Sequence, residues 1–132
     1  MGEVSLLLDT CTFLWWATDD PAVPESVRVR LRNPDEQVFL SSVSAWEICV
    51  KYALGKLPLP EAPSDYLPDR RKRLGISALS LEEPDVLSLT KLPSLHRDPF
   101  DRMLVSQAIA RSLTLVTPDP EVRAYPCLTW WG

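Results

Sequence analysis

The segment VSLLLDTCTFLWWATDD, residues 4–20, places a short apolar run directly before a single aspartate, Asp9. An apolar run of this length is typical of a buried strand in a parallel sheet. The residues after Asp9 predict a short helix, which the acidic pair and the proline at 19–21 would end. A buried strand that passes at once into a helix predicts an α/β fold.

The same alternation of apolar runs and helical segments extends along the rest of the chain. Further strands are predicted at residues 37–42, 76–81, 113–117 and 127–131. The predicted helices are 24–33, 42–56, 82–92 and 100–112, with a single turn at 119–126. This order predicts one α/β domain over residues 1–132. Its central sheet is expected to be mainly parallel, with four to five strands and helices on both faces.

Residues 42–56, SVSAWEICVKYALGK, form the clearest predicted helix. Ser44 is the candidate cap, because Glu47 lies three residues further on, and Gly55 is the expected end. Residues 57–66, LPLPEAPSDY, are rich in proline and predict a connection rather than a regular element.

Composition limits the classes to which this protein can belong. The chain has 132 residues and a formal net charge of −4, which argues against a general basic nucleic-acid binder. No apolar run approaches the roughly 18 residues of a membrane helix, and no signal peptide is visible, so we expect a cytoplasmic protein without a membrane partner. Three cysteines without C-x-x-C spacing and a single histidine argue against a zinc site.

Acidic side chains lie at or near the ends of several predicted strands. Asp9 ends the first strand, Glu47 lies early in the helix after the second, and Asp119 follows the fourth. Asp98 and Asp101 begin the helix that leads into the fourth strand. Because the carboxyl ends of parallel strands share one edge of a sheet, we expect these acids to lie together. Gathered carboxylates repel one another unless a cation binds, and oxygen ligands suit Mg²⁺ or Mn²⁺ acting on a phosphate ester.

Residues 96–108, HRDPFDRMLVSQA, allow two interpretations of their aspartates. Asp98 suits the N-cap of a helix, Pro99 the first helical position, and Asp101 the third, from which an acid can support the cap. The same two carboxylates are also candidate acids of the metal site. This segment alone does not separate capping from chemistry.

Four segments of the chain resemble PIN-domain proteins, specifically the VapC-type toxins of bacterial and archaeal toxin–antitoxin pairs. These segments are LLLDTCTFLWW, SSVSAWEICVKYALGKLPLP, HRDPFDRMLVSQA and LVTPDP. They follow the order and spacing of the family along nearly the whole chain. The resemblance implies a PIN-like three-layer α/β/α sandwich and an endoribonuclease that depends on Mg²⁺ or Mn²⁺. It also implies a homodimer that a cognate VapB-type antitoxin neutralises.

The resemblance also implies roles for particular residues. The catalytic and metal-binding acids of the family match Asp9, Glu47, Asp101 and Asp119. Supporting roles are implied or expected for Asp98, Thr117, Thr10 and Arg102. Asp98 is then expected to be mainly the helix cap. The chain departs from the family pattern at Ser106, where alanine is common, and at Pro118, which removes one backbone donor near the site.

Several basic and aromatic residues are candidates for contacts with RNA or with protein partners. The candidate RNA contacts are Arg70, Arg71, Lys72, Arg73 and His96. The basic run could steer phosphates towards an otherwise acidic protein, and a solvated helix face is the alternative. Two adjacent tryptophans cannot both point inward from one face, so one member of each pair, at 15–16 and 130–131, is a candidate for an interface.

Two other functions remain open from the sequence. A phosphatase with a nucleophilic aspartate would use Asp9, but such enzymes need a second aspartate two residues on, where this chain has Cys11. A non-catalytic PIN-like binding module would tolerate a damaged acid set, and the set here is intact. Cleavage that depends on a divalent cation separates the nuclease from the binding module.

Overall fold

A computed structural model describes residues 4–94 and 98–132 of the chain. Within these residues, five strands form one sheet in which every neighbouring pair is parallel. The strands are β1 (Ser5–Leu8), β2 (Gln37–Ser41), β3 (Ser77–Leu79), β4 (Thr114–Val116) and β5 (Thr129–Trp130). Their order is β3-β2-β1-β4-β5. The prediction of a mainly parallel sheet of four to five strands is confirmed.

Helices connect the strands and cover the sheet. They are α1 (Thr10–Ala17), α2 (Glu25–Arg32), α3 (Ser42–Ala53), α4 (Pro63–Leu74), α5 (Glu83–Leu87), α6 (Pro99–Arg111) and α7 (Pro120–Arg123). A 3₁₀ turn at Ser88–Lys91 follows α5. None of the helices in residues 4–94 and 98–132 is long and apolar enough to cross a bilayer.

The side chains of β1 alternate between two apolar cores, one on each face of the sheet. Leu6 and Leu8 pack with α1, α2 and α4, whereas Leu7 packs with α6 and α7. Alternation of this kind follows from the period of two along a strand. The result is a three-layer α/β/α sandwich, as the resemblance implied.

The chain reverses its direction of winding across the sheet at β1. It first adds β2 and β3 on one side of β1 and then crosses to add β4 and β5 on the other. In open α/β sheets, ligands bind beyond the carboxyl ends of the strands where the order reverses. Asp9 follows β1 and caps α1, and Asp119 lies three residues beyond β4 and caps α7, so both lie at this point.

Two local expectations from the sequence were wrong. The cap of α3 is Ser41 rather than Ser44, because the last residue of β2 turns directly into the helix and its hydroxyl accepts the Val43 N–H at 3.0 Å. The segment 57–66 contains the start of α4 as well as a connection. Pro63 occupies an early helical position, where a proline costs no hydrogen bond, and Pro68 is accommodated inside the helix.

The adjacent tryptophans pack within the fold. The ring centres of Trp15 and Trp131 lie 6.1 Å apart, Trp16 is buried, and the Arg30 guanidinium lies 4.6 Å from the ring centre of Trp130. The exposed tryptophan is instead Trp46 on α3, at 55% relative exposure. Trp15, Trp130 and Trp131 are only partly buried, so the expectation that a member of each pair supplies an interface stays a prediction.

A buried acid that the sequence did not single out ties α5 to α6. Asp85 is 1% exposed and accepts a bidentate ion pair from Arg111, at 2.9 and 3.0 Å. Its carboxylate also accepts the Glu82 N–H at 2.8 Å and the Gln107 amide at 3.3 Å. Burial alone would raise the pKa of Asp85, but these partners outweigh burial and hold the pKa below its usual value. Ser106 donates to the Asp85 carbonyl, which accounts for a serine at that position.

We expect Asp85→Ala to lower the free energy of unfolding by roughly 2–4 kcal/mol, because it leaves buried donors without an acceptor. Urea unfolding at neutral pH measures the loss, with Glu83→Ala, an exposed acid of the same helix, as the control. Because the native pKa is depressed, the contribution of Asp85 is complete above about pH 4 and declines as the pH falls through the native pKa. A deficit that persisted unchanged in stronger acid would contradict this account.

Candidate metal and active site

Asp9 and Asp119 are held together at the ends of the two central strands. The Asp9 N–H donates to the Val116 carbonyl at 3.1 Å, which fixes the residue after β1 to the end of β4. The Asp9 carboxylate accepts the Thr12 N–H at 2.8 Å and caps α1. The buried Thr117 hydroxyl accepts the Asp119 N–H at 3.1 Å. The Thr117 hydroxyl also bonds to the Asp9 carboxylate, so it links the two acids, and its supporting role stays a prediction.

Burial dominates the electrostatics of Asp9. Its side chain is only 6% exposed, and loss of solvent raises the pKa of its carboxyl group. The Thr117 hydroxyl and the Thr12 hydroxyl and N–H lower the pKa in part, and the charge of Asp119 raises it again. The environment therefore disfavours the anion of Asp9, which is the condition that a bound cation would relieve.

Glu47 reaches the same edge of the sheet from α3 and is 5% exposed. Its Oε1 atom accepts the Thr10 hydroxyl at 2.6 Å, and Thr10 Oγ1 lies 2.9 Å from Ser44 Oγ. Its Oε2 atom forms an ion pair with Lys51, one turn further along α3. Thr10 thus fixes the orientation of Glu47, and its supporting role in the reaction stays a prediction.

The start of α6 separates the two aspartates that the sequence left undecided. Asp98 is the N-cap, and its Oδ1 atom accepts the N–H groups of Phe100 at 2.9 Å and Asp101 at 3.3 Å. Asp101 lies in the first turn of α6 and is half-buried. The predicted capping by Asp98 is present, and the role of Asp101 in chemistry stays a prediction.

The four predicted acids all influence the pKa of the Cys11 thiol, which lies among them. Burial is the main cause that raises the pKa of its thiol to about 12. The further causes are the negative charges of Asp9, Asp101, Asp119 and Glu47. The acids come from the ends of β1 and β4 and from the helices α3 and α6, so four separate elements deliver them to the same place. Without a bound cation, the thiol therefore stays protonated at neutral pH.

The acids form a charged cluster without a preformed coordination sphere. In residues 4–94 and 98–132, no three His, Cys, Asp or Glu side chains converge closely enough, as oriented, to hold one metal ion. Each carboxylate instead turns towards a local donor: Thr12 for Asp9, Lys51 for Glu47 and Glu121 for Asp119. The donor set nevertheless fits a hard cation, since it consists of carboxylate and hydroxyl oxygens.

Other predicted residues have mainly structural partners or lie outside the described residues. Arg102 donates to the Pro93 carbonyl at 3.0 Å and to the Tyr125 hydroxyl at 3.1 Å, so it joins the loop before α6 to the end of α7. The predicted phosphate contact of His96 lies outside the described residues.

The basic run on α4 divides into two kinds of residue. Arg70 pairs with Glu61 and Asp69, and Arg73 pairs with Asp69 at 3.1 Å. The Arg70 guanidinium also lies 4.5 Å from the ring centre of Tyr66. Arg70 and Arg73 are therefore committed at least partly to the protein itself. Arg71 and Lys72 are the stronger candidates for phosphate steering.

Lys51 is the residue of this site that the sequence analysis missed. Its spacing of four residues from Glu47 is a recognisable signal for an ion pair on one helix face. Only the fold shows that this helix face meets the acidic edge of the sheet.

The sequence matches the family model described as PIN domain over residues 6–126. This match covers the four predicted acids and the strands β2, β3 and β4, includes β1 from Leu6, and ends before β5. The chain belongs to the PIN-domain family. The prediction of that family from the four sequence segments is confirmed.

This PIN domain also resembles individual relatives. It is 46% identical over 55 residues to Ribonuclease VapC16 from Mycobacterium tuberculosis (strain ATCC 25618 / H37Rv), a match that spans 42% of this chain and 39% of that protein. The chain therefore matches well under half the length of this curated relative.

Solved structures share the PIN fold at low sequence identity. The structure of VapBC2 from Rickettsia felis, bound to a DNA fragment of the VapBC2 promoter, matches with a TM-score of 0.73 and 17% sequence identity. The match covers 96% of this chain and 98% of that chain. DNA-bound VapBC from Salmonella typhimurium matches with a TM-score of 0.70 and 20% identity over 98% and 99%. At these identities the comparison supports the fold.

Proposed function

We propose that this PIN domain is an endoribonuclease that depends on Mg²⁺ or Mn²⁺ and is the toxin of a VapBC-type toxin–antitoxin pair. The observation that carries the proposal is that the charges of four acids all act on Cys11, beside the switch point of the sheet. The acids are Asp9, Glu47, Asp101 and Asp119. The similarity to a protein named Ribonuclease VapC16 supports RNA as the substrate.

Different residues of the chain would have different roles in such a site. The four acids would hold the cation, and the cation would polarise a phosphoryl oxygen of the substrate. Thr117 fixes the spacing of Asp9 and Asp119, and Thr10 fixes one oxygen of Glu47. Arg71 and Lys72 would attract the RNA backbone to an acidic protein. We propose that this reaction takes place in the cytoplasm.

Mapping the ends of total RNA after brief induction of the protein tests the proposed activity. We expect new ends at a small set of sites, because single-stranded loops present unstacked bases for recognition. The Asp9→Asn variant, induced to the same level, is the control and should give none of these ends. Identical end patterns from the two proteins would contradict the proposal and favour a non-catalytic binding module.

We further propose that a VapB-type antitoxin binds a groove of mixed polarity on the α1–α2–α4 side of the sheet. The groove has a volume of about 470 Å³, with an apolar strip of Trp16, Leu31 and Leu74 and the charged side chains of Asp19, Arg32 and Arg73 along it. An amphipathic antitoxin helix would place its apolar face between these residues. The groove lies at the carboxyl end of α1, about 12 Å of helix away from Asp9. A following antitoxin segment could therefore reach the acids with an Arg or Lys.

Leu74→Glu should abolish inhibition by the cognate antitoxin and leave RNA cleavage intact, because it places a charge in the apolar strip of the groove, away from the acids. The control is Leu87→Glu, which changes an exposed leucine outside the groove and should preserve inhibition. Titration of antitoxin into a cleavage assay gives the result for both variants. Full inhibition of Leu74→Glu would place the antitoxin elsewhere.

We also expect the protein to form a homodimer. A monomer in light scattering at high micromolar protein concentration would contradict this expectation.

A further inference from the structure

Lys51 was not among the residues predicted for this site, but its ammonium group lies within the acidic cluster. It pairs with Glu47 Oε2, while the Thr10 hydroxyl holds Glu47 Oε1 at 2.6 Å. Both oxygens of Glu47 are therefore engaged by groups of the protein. A metal ion bound to Oε2 of Glu47 would have to lie beside the Lys51 ammonium group, whose positive charge repels it.

The positive charge of Lys51 interacts with more than one carboxylate. Its bond to Glu47 is the largest cause that raises the pKa of Lys51, and the charges of Asp98 and Asp101 raise it further. These acids come from α3 and from the start of α6. The side chain is 43% exposed, so the ammonium group can move into solvent without unpacking the core.

We propose that Lys51 is an internal counter-ion that holds Glu47 in the metal-free protein and that a divalent cation must displace from Glu47 on binding. This inference rests on the proposed metal site. Carboxylates gathered at one edge of a sheet repel one another, and a tethered ammonium group reduces that repulsion until a cation arrives. Lys51 therefore raises the metal concentration at which the site is loaded, and it positions Glu47 rather than acting on the substrate.

Calorimetric titration of Mn²⁺ into the protein tests the inference without an activity assay. We expect Lys51→Gln to bind Mn²⁺ about tenfold more tightly than the wild type, because it removes a competing, partly screened charge from beside the cation. Lys51→Arg keeps the charge and should bind Mn²⁺ nearly as the wild type does. Lys56→Gln removes the same charge just beyond the end of α3 and should leave the affinity unchanged.

Thermal melts give a second readout. Lys51→Gln should melt at a lower temperature than the wild type in EDTA, because Glu47 loses its counter-ion. Addition of Mn²⁺ should then raise its melting temperature by more than it raises that of the wild type. Equal or weaker Mn²⁺ binding by Lys51→Gln, together with an equal thermal gain, would overturn the inference.

The wild-type protein provides a test that survives if Lys51→Gln fails to fold. Titration with diamagnetic Mg²⁺ should change the NMR signals of the Lys51 ammonium group and of the Glu47 carboxyl carbon together, at the same midpoint. A Lys51 signal that stays constant while Glu47 responds would overturn the inference. A wild-type protein that binds no Mn²⁺ at all would instead contradict the proposed metal site, so the two failures are distinguishable.

Discussion

Asp9→Asn should keep the fold and remove nearly all RNA cleavage, by roughly 100-fold or more. Asparagine is about the same size and caps a helix as well as aspartate, so the bond from Thr12 N–H to position 9 can persist. The substitution removes one negative charge from the place where the structure brings four acids together. It should therefore weaken binding of the divalent cation while preserving the helix.

Asp9→Asn should not reduce the thermal stability of the metal-free protein, although it should remove cleavage. Burial raises the pKa of Asp9, which means that the native environment disfavours its charge. A neutral asparagine avoids this cost, so the metal-free variant should melt at the same temperature as the wild type or higher. Asp35→Asn changes an exposed aspartate after α2 and should alter neither property. Cleavage by Asp9→Asn at the wild-type rate would contradict its proposed role.

Asp101→Asn should also remove most cleavage, whereas Asp98→Asn should retain measurable activity. The Asp98 carboxylate is committed to the N–H groups of Phe100 and Asp101, and asparagine can accept the same bonds. Asp101 lies in the first turn of the helix, from which its charge reaches the region of Cys11. The two aspartates of one short segment thus have different proposed roles.

Stability separates the two aspartates as well. Asp98→Ala should lower the free energy of unfolding by roughly 1 kcal/mol as a lost N-cap, and Asp98→Asn should cost little. Paired thermal melts and cleavage rates of the three variants at saturating Mn²⁺ give the answer. An inactive Asp98→Asn beside a fully active Asp101→Asn would reverse the assignment of the third acid.

The apolar runs were sufficient to predict the strands because a parallel sheet buries both faces of each strand. Leu6, Leu7 and Leu8 are all fully buried, two in one core and one in the other. The positions of Asp9 and Asp119 follow from the same pattern, since each lies directly or shortly after a buried strand. This part of the candidate site could therefore be predicted before the fold was known.

Other features depend on tertiary packing that no local pattern contains. The buried ion pair of Asp85 with Arg111 joins residues 26 apart in the sequence and forms only because α5 packs against α6. The start of α4 was missed because its prolines indicate a connection, although a proline in the first turn of a helix loses no hydrogen bond. The spacing of Lys51 from Glu47 in the sequence indicates an ion pair, but its proposed role at the metal site depends on the burial of Glu47, which only the fold shows.

Cleavage of a defined RNA by the purified protein in three successive conditions tests the central claim most directly. The conditions are Mn²⁺, excess EDTA, and Mn²⁺ restored beyond the EDTA, with Asp9→Asn measured in parallel. The proposed site predicts cleavage in the first condition, none in the second, recovery in the third, and almost none by Asp9→Asn throughout. Undiminished cleavage by the wild type in EDTA would contradict the assignment of Asp9, Glu47, Asp101 and Asp119 to a catalytic metal site.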